Sequence, residues 1–403
     1  MKGLFVVLFM IVIDSPIMCA RVIRPNAYSS SFNVVDYGAK GDEKTDDSQA
    51  FVKAWEKVCG ATQDAATLVI PREKTFLLQP VSFKGPCKPT TINIQIQGTI
   101  TAPQSIEAWK WSNGNSKQYW IQFSGISGLV VNGGGKVDGQ GARWWKSNSD
   151  AHSKPTALKF NACNNLKLSK LTHINSPRNH ISIDGCNHAT ISSLTIVAPE
   201  DSPNTDGLDI ASSTNIFINN STIQTGDDCI AINSGSSFIN ITGVFCGPGH
   251  GISVGSLGKD GAFDTVEEVH VQNCTFNGST NGARIKTWKG GSGYARKIIF
   301  EDIILIGAKN PVIINQQYSE LHLGEKNGMQ AVKISDVTYR NVKGTVTGKD
   351  AIELNCDPIV GCNDIEFDDI YITSEDDNPI EVSCTNAHGT SSSCNPIISC
   401  LSH

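Results

Sequence analysis

The 403-residue sequence predicts an all-β fold, a single right-handed parallel β-helix with an N-terminal capping helix. Three observations lead there. A short apolar-x-apolar unit recurs at Ile181/Ile183, Leu208/Ile210, Ile230/Ile232, Ile252/Val254, Ile352/Leu354 and Ile380/Val382, with looser copies at Ile285 and Ile313. A second unit, apolar at i, i+3 and i+5, is offset from it at Ile191/Leu194/Ile196, Val271/Cys274/Phe276, Phe300/Ile303/Leu305, Ile334/Val337/Tyr339 and Phe367/Ile370/Ile372. Copies return at intervals of roughly 22 to 39 residues, the range of solenoids. Period-two strands this short cannot bury a face alone, and stacked coils supply the missing partners. Antiparallel hairpins in a sandwich would need tight two-residue turns, which the long, irregular intervals do not offer.

From the start of the chain, residues 1–20 carry Lys2, an apolar run over 3–13 and a small-residue cleavage site ending at Ala20. They read as a secretory signal peptide, the apolar run being about half the ~20 residues that a membrane span needs. Residues 21–403 then form one domain, expected to be secreted to the cell exterior or cell wall, with no membrane contact after cleavage. The net charge of -6 is unchanged by losing Lys2 and Asp14, which argues against a nucleic-acid partner.

An open solenoid end needs a cover. Residues 46–59, DDSQAFVKAWEKVC, open with capping carboxylates and set Ala50, Phe51, Ala54, Trp55 and Val58 on one helical face. The cysteine-rich tail is expected to close the other end. Of the 13 cysteines, Cys19 leaves with the signal. Cys229…Cys246, Cys356…Cys362 and the group Cys384, Cys394, Cys400 have the spacing of disulfide loops, with connectivity open, while Cys163, Cys186 and Cys274 sit in apolar patterns that also suit buried thiols. Sequons at Asn219, Asn220, Asn240, Asn273 and Asn277 permit N-glycosylation.

Aligning the first strand series on its leading apolar residue gives a ladder. The position two before it reads Asn179, Asp206, Asp228, His250 and Ala283; one before, His180, Gly207, Cys229, Gly251 and Arg284; one after, Ser182, Asp209, Ala231, Ser253 and Lys286. Equivalent positions on stacked strands lie ~4.8 Å apart. Asp206, Asp228 and His250 are therefore expected as neighbours, with Asp227 beside them and Arg284 and Lys286 facing outward on the next rung. Asp-Gly and Asn-rich turns are common punctuation, yet three carboxylates, an imidazole and two cations in one register exceed what turns require. Crowded carboxylates raise one another's pKa, which sets an acid beside a base. A calcium site is the rival use of such a cluster, opposed by the two cations.

Four motifs in this order, NTDG at 204–207, GDDC at 226–229, CGPGHG at 246–251 and RIK at 284–286, resemble those of the polygalacturonases, inverting glycoside hydrolases that cut the galacturonate backbone of pectin. The likeness runs from FNVVDYGAKGDEKTDD at Phe32 to the terminal cysteines and is greatest toward secreted, exo-acting plant members of the pollen type. It implies Asp227 as general acid, Asp206 and Asp228 as holders of the attacking water, and His250 as the residue tuning the acid. Arg284 and Lys286 would bind substrate carboxylates, and Tyr318 in INQQYSE matches a substrate-contacting tyrosine. Asn204, His180 and Asp209 are further expected substrate contacts. The plant pattern has Asp where Asn315 stands and Cys where Ser319 stands.

No metal or organic cofactor is implied, and the chain is expected to act as a monomer on polygalacturonate. The long intervals 252–285 and 313–352 are expected to wall one end of the groove and impose attack from chain ends. Alternatives are endo attack, a silent pectin-binding β-helix and a calcium-dependent pectate lyase.

Overall fold

A computed structural model describes residues 30–111, 117–147, 153–318, 330–376 and 378–401. The expected signal peptide, 1–20, lies outside the described residues. The chain winds as a right-handed parallel β-helix in which every coil adds one strand to each face. One face is an 11-stranded sheet running in spatial order from Val81–Lys84 to Glu381–Thr385. In it Ile181, Leu208, Ile230 and Ile252 stack in register, as do Ile183, Ile210, Ile232 and Val254. All eight are buried. The remaining faces stack the second series, with Ile191, Ile218, Ile241, Val271, Phe300, Tyr339 and Phe367 forming one continuous inward column.

Aromatic side chains continue these columns. Phe83, Phe123 and Phe160 stack with centroids 5.0 and 5.5 Å apart, and Phe300, Tyr339 and Phe367 at 5.5 and 4.9 Å. Each coil turns one corner through a residue with positive φ: Ser193, Asn220, Gly243, Asn273, Asp302 and Asn341 occupy successive coils. Asn and Asp tolerate that left-handed backbone because their short side chains bond locally. The corner amides bond to the next coil, Asn220 N–H to the Thr242 carbonyl and Asn273 N–H to that of Glu301, both at 3.1 Å.

The capping helix spans Ser48–Cys59 and buries Ala50, Phe51, Ala54, Trp55 and Val58 as its periodicity requires. Its carboxylates divide the work. Asp46 accepts from the Ser48 amide at 3.1 Å, whereas Asp47 turns away from the helix and accepts from Lys40 and Gly41 at 2.7 and 3.0 Å, fastening the preceding loop. Cys59 is bonded to Cys87, a pairing the spacing did not suggest. Cys229–Cys246, Cys356–Cys362 and Cys384–Cys400 are the other disulfides among the described residues, and Cys163, Cys186, Cys274 and Cys394 are free. At the C-terminal end Ile398 is buried against the last coil. No helix among the described residues is long and apolar enough to cross a membrane.

Four registers differ from the sequence reading. Ile313 pairs with Glu353, while Val312 and Ile314 align with Ile352 and Leu354. Ile352 in turn pairs with Val382 and not with Ile380. Ile252 pairs with Ala283 and not with Ile285, so Arg284 stands opposite Ser253 and Lys286 lies two residues further along. Alanine at the leading position is what hid this. Tyr339 pairs with Phe300, so the copy aligned with Phe300/Ile303/Leu305 is Tyr339/Val342/Gly344. Gly344 interrupts the apolar pattern because a Cβ there would meet the Leu305 carbonyl oxygen at 1.9 Å.

Candidate active site

Consecutive coils bring the motif residues to one cleft of about 270 Å³ on the outer side of the 11-stranded sheet. Asn204, Asp206, Asp209, Asp227, Asp228, Lys286 and Tyr318 line it. Close coil contact sets their position. Gly207 lies where a Cβ would meet the Cys229 carbonyl oxygen at 2.6 Å, and at Gly226 one would meet that of Ser202 at 2.1 Å, so the coils bearing Asp206 and Asp227 approach backbone to backbone. The Gly226 amide also donates to Thr205 Oγ1 at 3.0 Å. The Cys229–Cys246 bond ties Asp227 and Asp228 to the segment that carries His250.

Asp227 Oδ1 accepts from the Asp228 amide at 2.8 Å and faces His250 Nδ1 at 3.0 Å. Asp228 is fully buried, and both its oxygens are engaged. Oδ1 meets Arg284 Nη2 at 2.6 Å and Ser253 Oγ at 2.9 Å, and Oδ2 meets Lys286 Nζ at 2.8 Å. Arg284 and Lys286 therefore do not face freely outward as expected; their side chains are 12% and 10% exposed and fold back over two coils onto Asp228. Ser253, bridging Asp228 and Arg284 Nε, was visible in the ladder without a role.

Burial, reinforced by the charges of Asp227, Asp209 and Asp228, pushes the Asp206 carboxyl well above the ordinary range. Asp209 rises to about 7, again mainly through burial. Asp227 goes the other way: burial would raise it, but the His250 hydrogen bond and the charges of His250 and Lys286 outweigh that and hold it low. In the free protein Asp206 and Asp209 are thus the carboxyls of the cleft biased toward the protonated form, and Asp227 is biased against it. Asp227, Asp228 and His250 present ligand atoms within 4.8 Å of one another, as a metal would require. The donor set fits a cation poorly, because both oxygens of Asp228 already neutralise two positive side chains.

His180 corrects an expectation. It has 0% exposure and lies beneath the cleft, out of a substrate's reach. Its Nε2 accepts from the Ser176 amide at 3.3 Å, leaving Nδ1–H to donate to the Asp206 carbonyl at 3.2 Å. It props the Asp206 turn. Tyr318 stands at the C-terminal side, with Lys286 Nζ 5.2 Å from its ring and Trp288 edge-on at 5.4 Å. Asn315, where the plant pattern has Asp, accepts from the Gln317 amide at 2.9 Å, and Ser319 lies outside the described residues.

Residues 59–394 match glycosyl hydrolases family 28. The chain belongs to that family. A probable polygalacturonase of Arabidopsis thaliana is 49% identical over 378 residues, 93% of this chain and 81% of that one. A polygalacturonase of Malus domestica is 41% identical over 359 residues, 87% of this chain and 76% of its own. Among solved structures, the endo-xylogalacturonan hydrolase from Aspergillus tubingensis superposes with a TM-score of 0.78 at 27% identity, covering 91% of this chain and 99% of that one. The exopolygalacturonase from Thermotoga maritima shares the fold, with a TM-score of 0.71 at 21% identity over 85% and 87% of the two chains.

This family 28 chain also lines its cleft with Arg178, Asn233, Ser256 and Lys259, none of which the sequence singled out. Arg178, Asn233 and Lys259 sit in or beside turns, where side-chain direction follows no repeat, and Ser256 lies in the irregular end of the strand Ile252–Leu257. Lys259 Nζ lies 5.0 Å from the Trp288 ring, so the segment that follows the strand Ile252–Leu257 joins the aromatic wall at the C-terminal side.

Proposed function

We propose that the protein is a secreted polygalacturonase that hydrolyses the α-1,4-galacturonosyl linkages of pectin by an inverting acid/base mechanism, attacking chain ends. The observation that carries this reading is the cleft in which Asp206, Asp227 and Asp228 converge, one bonded to His250 and one to two cations. Relatives named polygalacturonases across most of the chain support the substrate.

In the proposed sequence, a bound galacturonate carboxylate adds negative charge to the cleft and raises Asp227, so the proton held by Asp206 passes to Asp227. Asp227 then protonates the glycosidic oxygen as the bond to the anomeric carbon breaks. Water attacks that carbon from the opposite face and gives its proton to the now ionised Asp206, which restores the resting state with inverted configuration. Asp228 holds Arg284 and Lys286 in place against the developing charge.

Support for exo attack comes from the 252–285 interval, whose residues Gly255, Ser256 and Lys259 line one side of the cleft. The other interval, 313–352, runs through 319–329, outside the described residues. Endo attack is the second reading, favoured by the endo-acting name of the 27%-identical structure. Product analysis on long polygalacturonate at pH 4 to 7 separates them: exo attack releases monomer from the first minutes while viscosity falls slowly. Early oligomers with collapsing viscosity would establish endo attack, and no new reducing ends from folded protein would end the hydrolase reading. Export is supported by the apolar run at 3–13 and by exposed sequon residues Asn220 and Asn273. A mobility shift of the secreted chain on deglycosylation tests it.

A further inference from the structure

The two cations that would recognise substrate carboxylates are already paired with Asp228, with little exposed surface left. A polyanion gains most from a cation that is not yet neutralised. Among the described residues such a group lines the same cleft on the opposite side. Arg178, in the turn before Ile181–Asp184, is half-buried and makes no ion pair among the described residues. Next to it, Asp209 points outward from Leu208–Ala211, between Ser182 and Ala231 on the neighbouring strands. Its Oδ2 is buried with no hydrogen-bond partner, while Oδ1 has only a long contact of 3.4 Å from Asn233 Nδ2.

We propose that Arg178 and Asp209 form a second carboxylate-recognition element of the cleft, in which the Arg178 guanidinium pairs with a uronate carboxylate and a neutral Asp209 donates its O–H to the same sugar. This rests on the polyuronate reading of the substrate. Asp209 faces Arg178 from the preceding coil, Asp206 from its own, Asp227 and Asp228 from the next and Lys286 beyond them. With the carboxyl raised to about 7 by burial, it carries its proton through the acidic range and has one to donate. Lys286 Nζ bends back to Asp228, whose coil is two rungs from that of Arg178, ~10 Å along the axis. That exceeds one sugar ring, so Arg178 addresses a different residue of the polymer than Lys286 does. An unpaired buried carboxylate oxygen is costly to a protein unless a ligand completes it.

The test is calorimetric binding of tetragalacturonate, and of its methyl ester, to the Asp227→Asn protein with and without Arg178→Gln. Arg178→Gln lowers affinity for the acid about tenfold or more and leaves the ester unchanged, and Arg178→Lys recovers part of the loss. Wild-type-like binding of the acid by folded Arg178→Gln protein, or equal losses on acid and ester, overturns the proposal. Failure of the Asp227→Asn protein to bind the acid at all would instead defeat the polyuronate reading itself. Asp209→Asn, which stays neutral, should keep its affinity from pH 6 to 8 while the Asp209 form weakens as it ionises near about 7. Parallel pH curves for the two would remove Asp209 from the element.

Discussion

Asp228 and Lys286 are 58 residues apart in sequence and 2.8 Å apart in space, with the carboxylate fully buried and the ammonium nearly so. A contact of that kind belongs to folding as much as to substrate. Removing one partner leaves charge in a dry site, so Lys286→Ala should cost roughly 3 kcal/mol in urea unfolding in addition to weakening substrate binding. If the variant unfolds at the wild-type denaturant concentration, the ion pair is not a structural element.

Asp227→Asn preserves shape and removes the proton donor. Turnover should fall roughly 100- to 10,000-fold with binding of oligogalacturonate retained. Near-normal release of reducing ends would transfer the acid role elsewhere, Asp206 being the next candidate because burial already keeps its proton in place.

His173 occupies an aliphatic column, between Val137 and Ile196, and neither ring nitrogen has a hydrogen-bond partner. Burial and the neighbouring His180 keep its pKa well below the usual histidine value, and His180 is itself lowered to about 4. An unfolded chain protonates these rings below pH ~6.5 and the folded one does not, so their contribution to stability is lost as pH falls from there toward 4. His173→Ile should stabilise by about 1 to 3 kcal/mol near neutrality and flatten the acid decline. Melting temperatures from pH 7 to 4 give the answer; a parallel decline in both proteins would contradict it.

The Cys59–Cys87 bond closes a separation of 28 residues that starts at the last residue of the capping helix. Replacing both cysteines by serine should cost about 3 to 4 kcal/mol through the freer unfolded chain. Equal unfolding midpoints for oxidised wild type and the double variant would show that the cap is held by packing alone.

The inward ladder was legible because Ile, Leu and Val repeat at a period that only stacked strands satisfy, and Asp206, Asp228 and His250 came with it as fixed offsets. Where a small residue took a large one's place the ladder was misread: Ala283 shifted the last rung by two positions, and Gly344 disguised another copy. His180 looked like a groove residue because alternation gives a side and no depth. Arg178 and Lys259 were invisible, since a turn aims its side chains by local backbone geometry that no repeat encodes. The pairing of Arg284 and Lys286 with Asp228 was equally hidden, because it depends on how far long side chains bend back.

That bending back has a consequence for how such a scaffold adjusts its chemistry. Positions along the groove are graduated like the marks on a ruler, one coil or ~4.8 Å at a time, and no backbone shift smaller than a whole mark keeps the hydrogen-bond ladder intact. Arg284 and Asp228 stand two marks apart, a gap that only the longest side chains can close. Fine placement of charge is therefore delegated to side-chain reach, and exchanging Arg284 for a shorter residue would miss its target by a distance the coils cannot make up.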